Sequence, residues 1–251
     1  MLLYIMFYFR INSKFRCYFD KIRNFKIELN LIKNILKLGL PSSLQMVFEV
    51  GFFTAAIWLS GYLGQNTQAA NQIALNLSTV TYMVAMGLSV TAMIRVGNQY
   101  GKSNFIELKR IANSIFLLIF LMDIFFCIIY LVFNDSLPWL YLDSENKVNI
   151  NDTLEVIKIA SNLLIISAIF QISDGVQAVV LGSLKGIQDV NVPTAITFIS
   201  YWIVGFPISY YLGINTSLGV IGIWIGLLTG LTCSAILVYM RFKYKIKKLL
   251  I

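Results

Sequence analysis

Six stretches of this chain, at roughly 41–63, 73–94, 112–133, 156–182, 194–213 and 218–240, are apolar over the length needed to cross a lipid bilayer. Inside a bilayer there is no water to satisfy a peptide group, so a crossing segment must close its own backbone hydrogen bonds. About 20 apolar residues wound as a helix do this over a hydrocarbon core of about 30 Å. Composition agrees: of 251 residues, 58% are hydrophobic and 13% charged, with a mean hydropathy of +0.75, too apolar for a soluble domain of this size. The expected fold class is an all-α integral membrane protein with six transmembrane helices.

The basic residues set its orientation. A formal charge of +8 would suit a nucleic-acid binder, but the Lys and Arg residues sit beside the apolar spans, so membrane lipid is the expected partner and nucleic acid is not. Arg10, Lys14, Arg16, Lys21, Arg23, Lys26, Lys33 and Lys37 precede the first span, and Arg241, Lys243, Lys245, Lys247 and Lys248 follow the last. The second connection (Arg95, Lys102, Lys109, Arg110) and the fourth (Lys185) are also basic. The third, from Asn134 to Glu155, carries Asp135, Asp143, Glu145, Asp152 and Glu155. Cytoplasmic loops collect Lys and Arg, which places both ends in the cytoplasm and the multi-pass chain in the cell (inner) membrane. The opening nonapeptide MLLYIMFYF reaches only about 13 Å as a helix and cannot span. It has no basic region before it and no small-residue cleavage site after it, as a signal peptide requires. It reads as an interfacial aromatic helix or as the cytoplasmic end of a span whose beginning is missing.

Enzyme chemistry finds little support. There is no histidine, the commonest general base and metal ligand, and no GxSxG, Walker or GxGxxG context. Cys17, Cys127 and Cys233 have neither disulfide nor zinc-ligand spacing. No cofactor is expected.

Three carboxylates nevertheless lie inside spans: Glu49, Asp123 and Asp174. A charged carboxylate at the centre of a span costs about 2.5 to 3.5 kcal/mol on insertion scales, so such residues usually face the bundle and serve a function. Glu49 is eight residues from the cytoplasmic start of its span and Asp174 eight from the cytoplasmic end of its own. Both are then about 12 Å deep and able to share a cavity. Gln45 lies one turn before Glu49, Gln171 and Gln177 flank Asp174 at three-residue spacing, and Gln72, Asn76 and Thr79 share one face of the second span. Asp123, within IFLLIFLMDIFFCIIYLV, has no such polar stripe. It is a secondary candidate, equally readable as a locally neutralised residue.

The basic residues nearest the spans, Arg95, Lys158 and Lys185, lie at helix ends, so no fixed cation is placed to pair with Glu49 or Asp174. The counter-ion must be borrowed: a proton, a sodium ion or a cationic substrate. That is the chemistry of an ion-coupled transporter. Pro41, Pro193 and Pro207, together with glycines such as Gly51, Gly87, Gly175, Gly182 and Gly205, supply the close packing and bending that rocking bundles need.

The segments GLPSSLQMVFEVGFFTAAIWLSGYLG, AANQIALNLSTVTYMVAMGLS, RVGNQYGK, FQISDGVQAVVLGSLKGIQDVNVP, YWIVGFPISYYLG and LGVIGIWIGLLTGL together resemble the carboxy-terminal half of MATE multidrug efflux transporters, nearest their NorM-like branch. The match runs over about 35 to 245 in the family's order. It implies a six-helix lobe of a MATE-type transporter, helices seven to twelve of twelve, whose whole exchanges small cationic or amphipathic drug-like substrates for protons or sodium ions. Under it, residues 1–9 are the end of a truncated transmembrane helix, 10–37 a basic cytoplasmic lobe linker, 38–245 the lobe and 246–251 a cytoplasmic tail. Glu49 falls on the family's helix-seven acid and Asp174 on its helix-ten acid, the pair associated with cation coupling, and with metal ligation only if the coupling ion is sodium. Phe170 stands four residues before Asp174, where sodium-coupled relatives tend to carry tyrosine, and it cannot ligate an ion, which tilts the expectation toward protons. Asn71 replaces the histidine often found before QIAL, and Lys185 the usual arginine.

The resemblance leaves the amino-terminal lobe unaccounted for, so an amino-terminal lobe or second half-transporter is an expected partner. Two other readings stand beside the exporter: a non-transporting remnant or packing partner, and a lipid-linked oligosaccharide flippase of the same superfamily, whose cavity would carry Arg and Lys for phosphates. The charge distribution makes the topology testable. In a cysteine-free version, single cysteines within 134–155 should react with an impermeant thiol reagent from outside, whereas cysteines at Lys102 or beyond Arg241 should not. Outside labelling at position 102 would refute the six-span order.

Overall fold

The computed structural model describes residues 28–142 and 150–250. The nonapeptide 1–9 and the linker residues 10–27 lie outside the described residues. Among the described residues, six helices are long and apolar enough to cross a membrane: α1 (Leu29–Tyr62), α2 (Gln65–Gly101), α3 (Phe105–Val132), α4 (Ile150–Gly186), α5 (Asn191–Ile214) and α6 (Val220–Leu250). A short 3-10 helix, Leu137–Leu140, follows α3. No strand occurs among the described residues. The chain divides into units 1–39 and 40–251, and the bundle described below belongs to the second.

Most helices run past the spans expected from hydropathy. α1 is already helical at Leu29, so the last part of the expected linker, with Lys33 and Lys37, is helical. α2 continues through Arg95 to Gly101. The reason is that a helix closes its own hydrogen bonds in water as well as in lipid, while hydropathy sees only the apolar portion. α3 has a defined start: Asn104 accepts from the amide of Glu107 at 3.2 Å, with Glu107 in the first turn. α1 and α2 are joined at Gly64, whose φ of 129° is in the region that favours glycine.

α4 is the most buried span, and small residues let its neighbours approach. A side chain at Gly182 would collide with the Ser89 carbonyl of α2, and Gly186 lies against the Met93 carbonyl and the backbone of Gly97. Ser89 ties the same contact by donating to the Ala178 carbonyl at 2.6 Å. α5 and α6 meet in the same manner, with Gly226 against Ser209 and Gly222 against the backbone of Leu212.

α5 is not uniform. Its middle, Ile199–Gly205, is π-helical, between α-helical Asn191–Phe198 and Phe206–Ile214. Pro207 lacks the N–H that would close the α-helical bond to Ile203, and the ladder widens just before it. The widened turn carries Tyr201 inward, fully buried, and Trp202 toward α1, where its Nε1 donates to the Phe48 carbonyl at 3.3 Å. Phe52 of α1 fills the notch between Gly205 and Gly230 and stacks on Tyr201 at 5.0 Å. By contrast, Leu117, Leu121, Phe125 and Ile128 of α3 are exposed along one side, as a lipid-facing surface requires.

The α2–α4 contact yields a test. Gly182→Ala must push α2 from α4 and should lower stability by about 1 to 3 kcal/mol, the usual cost of overpacking. Gly87→Ala, where nothing lies within 4 Å, should leave stability unchanged or raise it. Thermal unfolding in mild detergent reads both, and equal effects would refute the close approach.

Candidate functional site

Glu49 and Asp174 reach one cavity from two helices. Glu49 points from α1 toward α2, and the Tyr82 phenol donates to its Oε1 at 2.9 Å. Asp174, 6% exposed, comes from the buried face of α4 and makes no side-chain hydrogen bond or ion pair with another described residue. The cavity, about 360 Å³, is bounded by α1, α2 and α4. Gln72, Asn76, Thr79 and Tyr82 supply its polar wall, and Met46, Val50, Phe53, Met83 and Phe170 its apolar one. Phe170 is held edge-on between Phe53 at 6.2 Å and Trp224 at 5.7 Å. It offers the cavity carbon rather than an ion ligand.

A second cavity of about 160 Å³ lies along the same helices and shares Met46, Glu49 and Tyr82 with the first. Gln45, Ser89 and Lys185 complete its polar lining. The Glu49–Tyr82 hydrogen bond therefore stands between two spaces, with Asp174 in the larger and Lys185 in the smaller. From sequence, Lys185 belongs to a helix end, remote from the acids. In the fold its side chain turns back into the smaller cavity, within electrostatic reach of Glu49 but outside ion-pair distance. Among the described residues the acids have no ion-pair partner.

The polar stripes read from sequence separate in three dimensions. Glu49, Gln72, Asn76, Phe170 and Asp174 converge on the large cavity, and Gln45 lines the smaller one. Gln171 and Gln177 line neither: both are buried, and Gln177 donates to the Tyr201 phenol. Asp123 faces Gly175 of α4, away from both cavities. Asn71 is a structural tie, its Oδ1 accepting from Trp224 Nε1 at 2.8 Å. Tyr82 is the site residue that the sequence reading missed. Its signal was its place three residues after Thr79, on the Gln72–Asn76–Thr79 face. No group of three or more His, Cys, Asp or Glu side chains is arranged to hold a metal ion among the described residues. Two carboxylates, a phenol and two amides fit a proton or an organic cation better than a dedicated metal cage.

Because the stripes separate, accessibility distinguishes them. In a cysteine-free background, Gln72→Cys and Asn76→Cys should react with a hydrophilic thiol reagent too bulky for a single-file water path, and Gln171→Cys and Gln177→Cys should not. Equal labelling of all four would place the cavity elsewhere.

Comparison with known proteins bears on the family and the fold. A family model described as MatE matches residues 41–211. The chain is 38% identical over 214 residues to the multidrug resistance protein NorM of Aliivibrio fischeri, covering 84% of this chain and 45% of that protein. It is 34% identical over 245 residues to the multidrug resistance protein MdtK of Proteus mirabilis, covering 96% of this chain and 52% of the relative. The chain thus spans about half the length of the curated relatives it matches. Among solved structures, a MATE protein in complex with MaL6 superposes with a TM-score of 0.80 at 20% identity, over 90% of this chain and 49% of that one. The eukaryotic MATE transporter AtDTX14 gives 0.75 at 19% identity, over 89% and 50%. At such identities the likeness shows the fold.

Proposed function

The chain belongs to the MatE family, and on that premise we propose that it forms one six-helix half of a proton-coupled multidrug efflux antiporter in the inner membrane, with both ends in the cytoplasm. The observation that carries this reading is the convergence of Glu49 and Asp174 on one cavity with no ion-pair partner among the described residues. Two acids in a low-dielectric space must be neutralised by something that comes and goes. A proton and a cationic drug then compete for the same carboxylates, and the competition is the coupling. Met46, Met83, Phe53 and Phe170 give the cavity adaptable apolar walls, which accept substrates of varied shape. Phe170 in place of an ion ligand favours protons over sodium.

Alternating access needs a surface for the cavity to close against. A second six-helix half, on the same or another polypeptide, supplies the facing wall. Supporting this, Met46, Val50 and Met83 are exposed at the cavity's rim, and the relatives are about twice as long. The flippase reading would need basic residues around the large cavity; its lining carries carboxylates, amides, hydroxyls and a phenol but no Lys or Arg.

The test pairs the chain with the amino-terminal six helices of a NorM relative and follows export of a cationic dye from cells. Export should follow the pH gradient. Glu49→Gln should reduce it to background at normal abundance, Asp174→Asn should do the same, and the double variant should be little worse than either, since residues acting as one unit are not additive. Normal export by Glu49→Gln would overturn the site, and a response to sodium with none to pH would overturn the choice of ion.

A further inference from the structure

Asp123 is the membrane-depth carboxyl that lines neither cavity. It is 4% exposed on a helix of Ile, Leu and Phe, and its Oδ2 has no hydrogen-bond partner. Its carboxyl fills the space that a side chain at position 175 would occupy, so α3 and α4 meet here through an acid laid on a glycine. Gly175 adjoins Asp174, which lies within electrostatic reach of Asp123 as well as of Glu49.

The surroundings continue this polarity in one direction. Gln171 lies one turn from Gly175 on the same face of α4. It is 4% exposed, and neither its amide nitrogen nor its amide oxygen has a partner. A turn further, Ser167 shares a 2.7 Å hydrogen bond with Ser78 of α2. Near the end of α3, Tyr130 donates to the Leu77 carbonyl of α2 at 2.6 Å. Polar groups thus run between α2, α3 and α4 from Asp123 toward the end of the bundle bearing the acidic third connection, whereas no residue of α3 lines either cavity. A buried polar atom left unpaired is costly, because it gives up its water without gaining a partner. A small guest that both donates and accepts, as water does, is the chemistry that would satisfy the carboxyl oxygen and the amide.

We propose that Asp123 is a third proton site, reached by water along the Gln171 face of α4 rather than through the drug cavity, and that it exchanges its proton with Asp174. One proton moves between water and a carboxylate oxygen of Asp123; an O–H bond forms on one partner as it breaks on the other, and nothing else changes. Asp174 is the charged group of α4 within electrostatic reach of it. The nearby phenols are engaged, Tyr82 with Glu49 and Tyr130 with Leu77. On α6 the first basic residue, Arg241, lies nine residues beyond Thr232, whose hydroxyl is bonded to Ser173. The site deepens the antiporter reading on which it rests: when a cationic substrate occupies Glu49 and Asp174, the displaced proton leaves by a route that does not cross the substrate's own.

Infrared difference spectroscopy of the purified chain in lipid nanodiscs, between acidic and alkaline buffer, tests this without requiring transport or a second half. Failure of export would therefore leave it standing, and its failure would leave the exporter standing. The wild type should show a carboxylic C=O band that appears in acid and vanishes in alkali. That band should be lost in Asp123→Asn, shifted in Asp123→Glu, and retained in Glu49→Gln and Asp174→Asn. Gln171→Leu should slow its hydrogen–deuterium exchange several-fold. A pH response unchanged by Asp123→Asn, an Asp123 band that persists in alkali, or one that follows sodium but not pH overturns the site, and unslowed exchange in Gln171→Leu overturns the route. Should Asp123→Asn fail to insert, the presence or absence of the Asp123→Glu shift decides alone.

Discussion

The backbone contact between α2 and α4 is the constraint on which the rest of the structure depends. Gly182 and Gly186 bring α4 against the carbonyls of Ser89 and Met93. At that separation there is no room for a bulky side chain between the two helices. Tyr82, Gln72 and Asn76 of α2 and Asp174 and Phe170 of α4 are consequently fixed relative to one another. In lipid, where helices gain little from hiding apolar surface from each other, such close packing and a few interior hydrogen bonds hold the bundle together.

α1 is held differently. It meets the bundle through large side chains: Phe52 in the Gly205–Gly230 notch, Phe48 beside Phe198 at 4.9 Å, and Tyr82 reaching across to Glu49. A helix anchored by side chains, the Thr194 hydroxyl on the Pro41 carbonyl at 2.9 Å among them, can shift without opening a backbone seam. Glu49 thus sits on the element best placed to move while Asp174 sits on the most fixed one, and the hydrogen bond at Glu49 separates the two cavities. A change in what neutralises Glu49 is then also a change in what holds α1 to α2.

The number of helices, their order and the presence of three acids at depth were legible from the sequence, because hydropathy over a bilayer's thickness is a strong local signal and an acid within it is costly. The pairing of Glu49 with Asp174 was legible from equal depth. Gln171 and Gln177 were misleading neighbours. Three-residue spacing places them near Asp174 on the helix, but 3.6 residues per turn spreads positions 171, 174 and 177 over an arc. Only the neighbours decide which part of that arc meets a cavity, a tyrosine or α3.

The sequence by itself determined the solvent, since no arrangement other than membrane helices satisfies six such apolar runs, and it determined which residues pay for being there. Tertiary structure decided what each of those residues faces. Lys185, at a helix end in sequence, turns into a cavity with Glu49. Tyr82 becomes the donor to that acid, and Asp123 lies against Gly175 rather than in either cavity. Tyr201 points inward because the turn before Pro207 is widened. These outcomes depend on helix rotation and crossing, which are set by contacts between residues far apart in the chain and leave no periodic trace within any one helix.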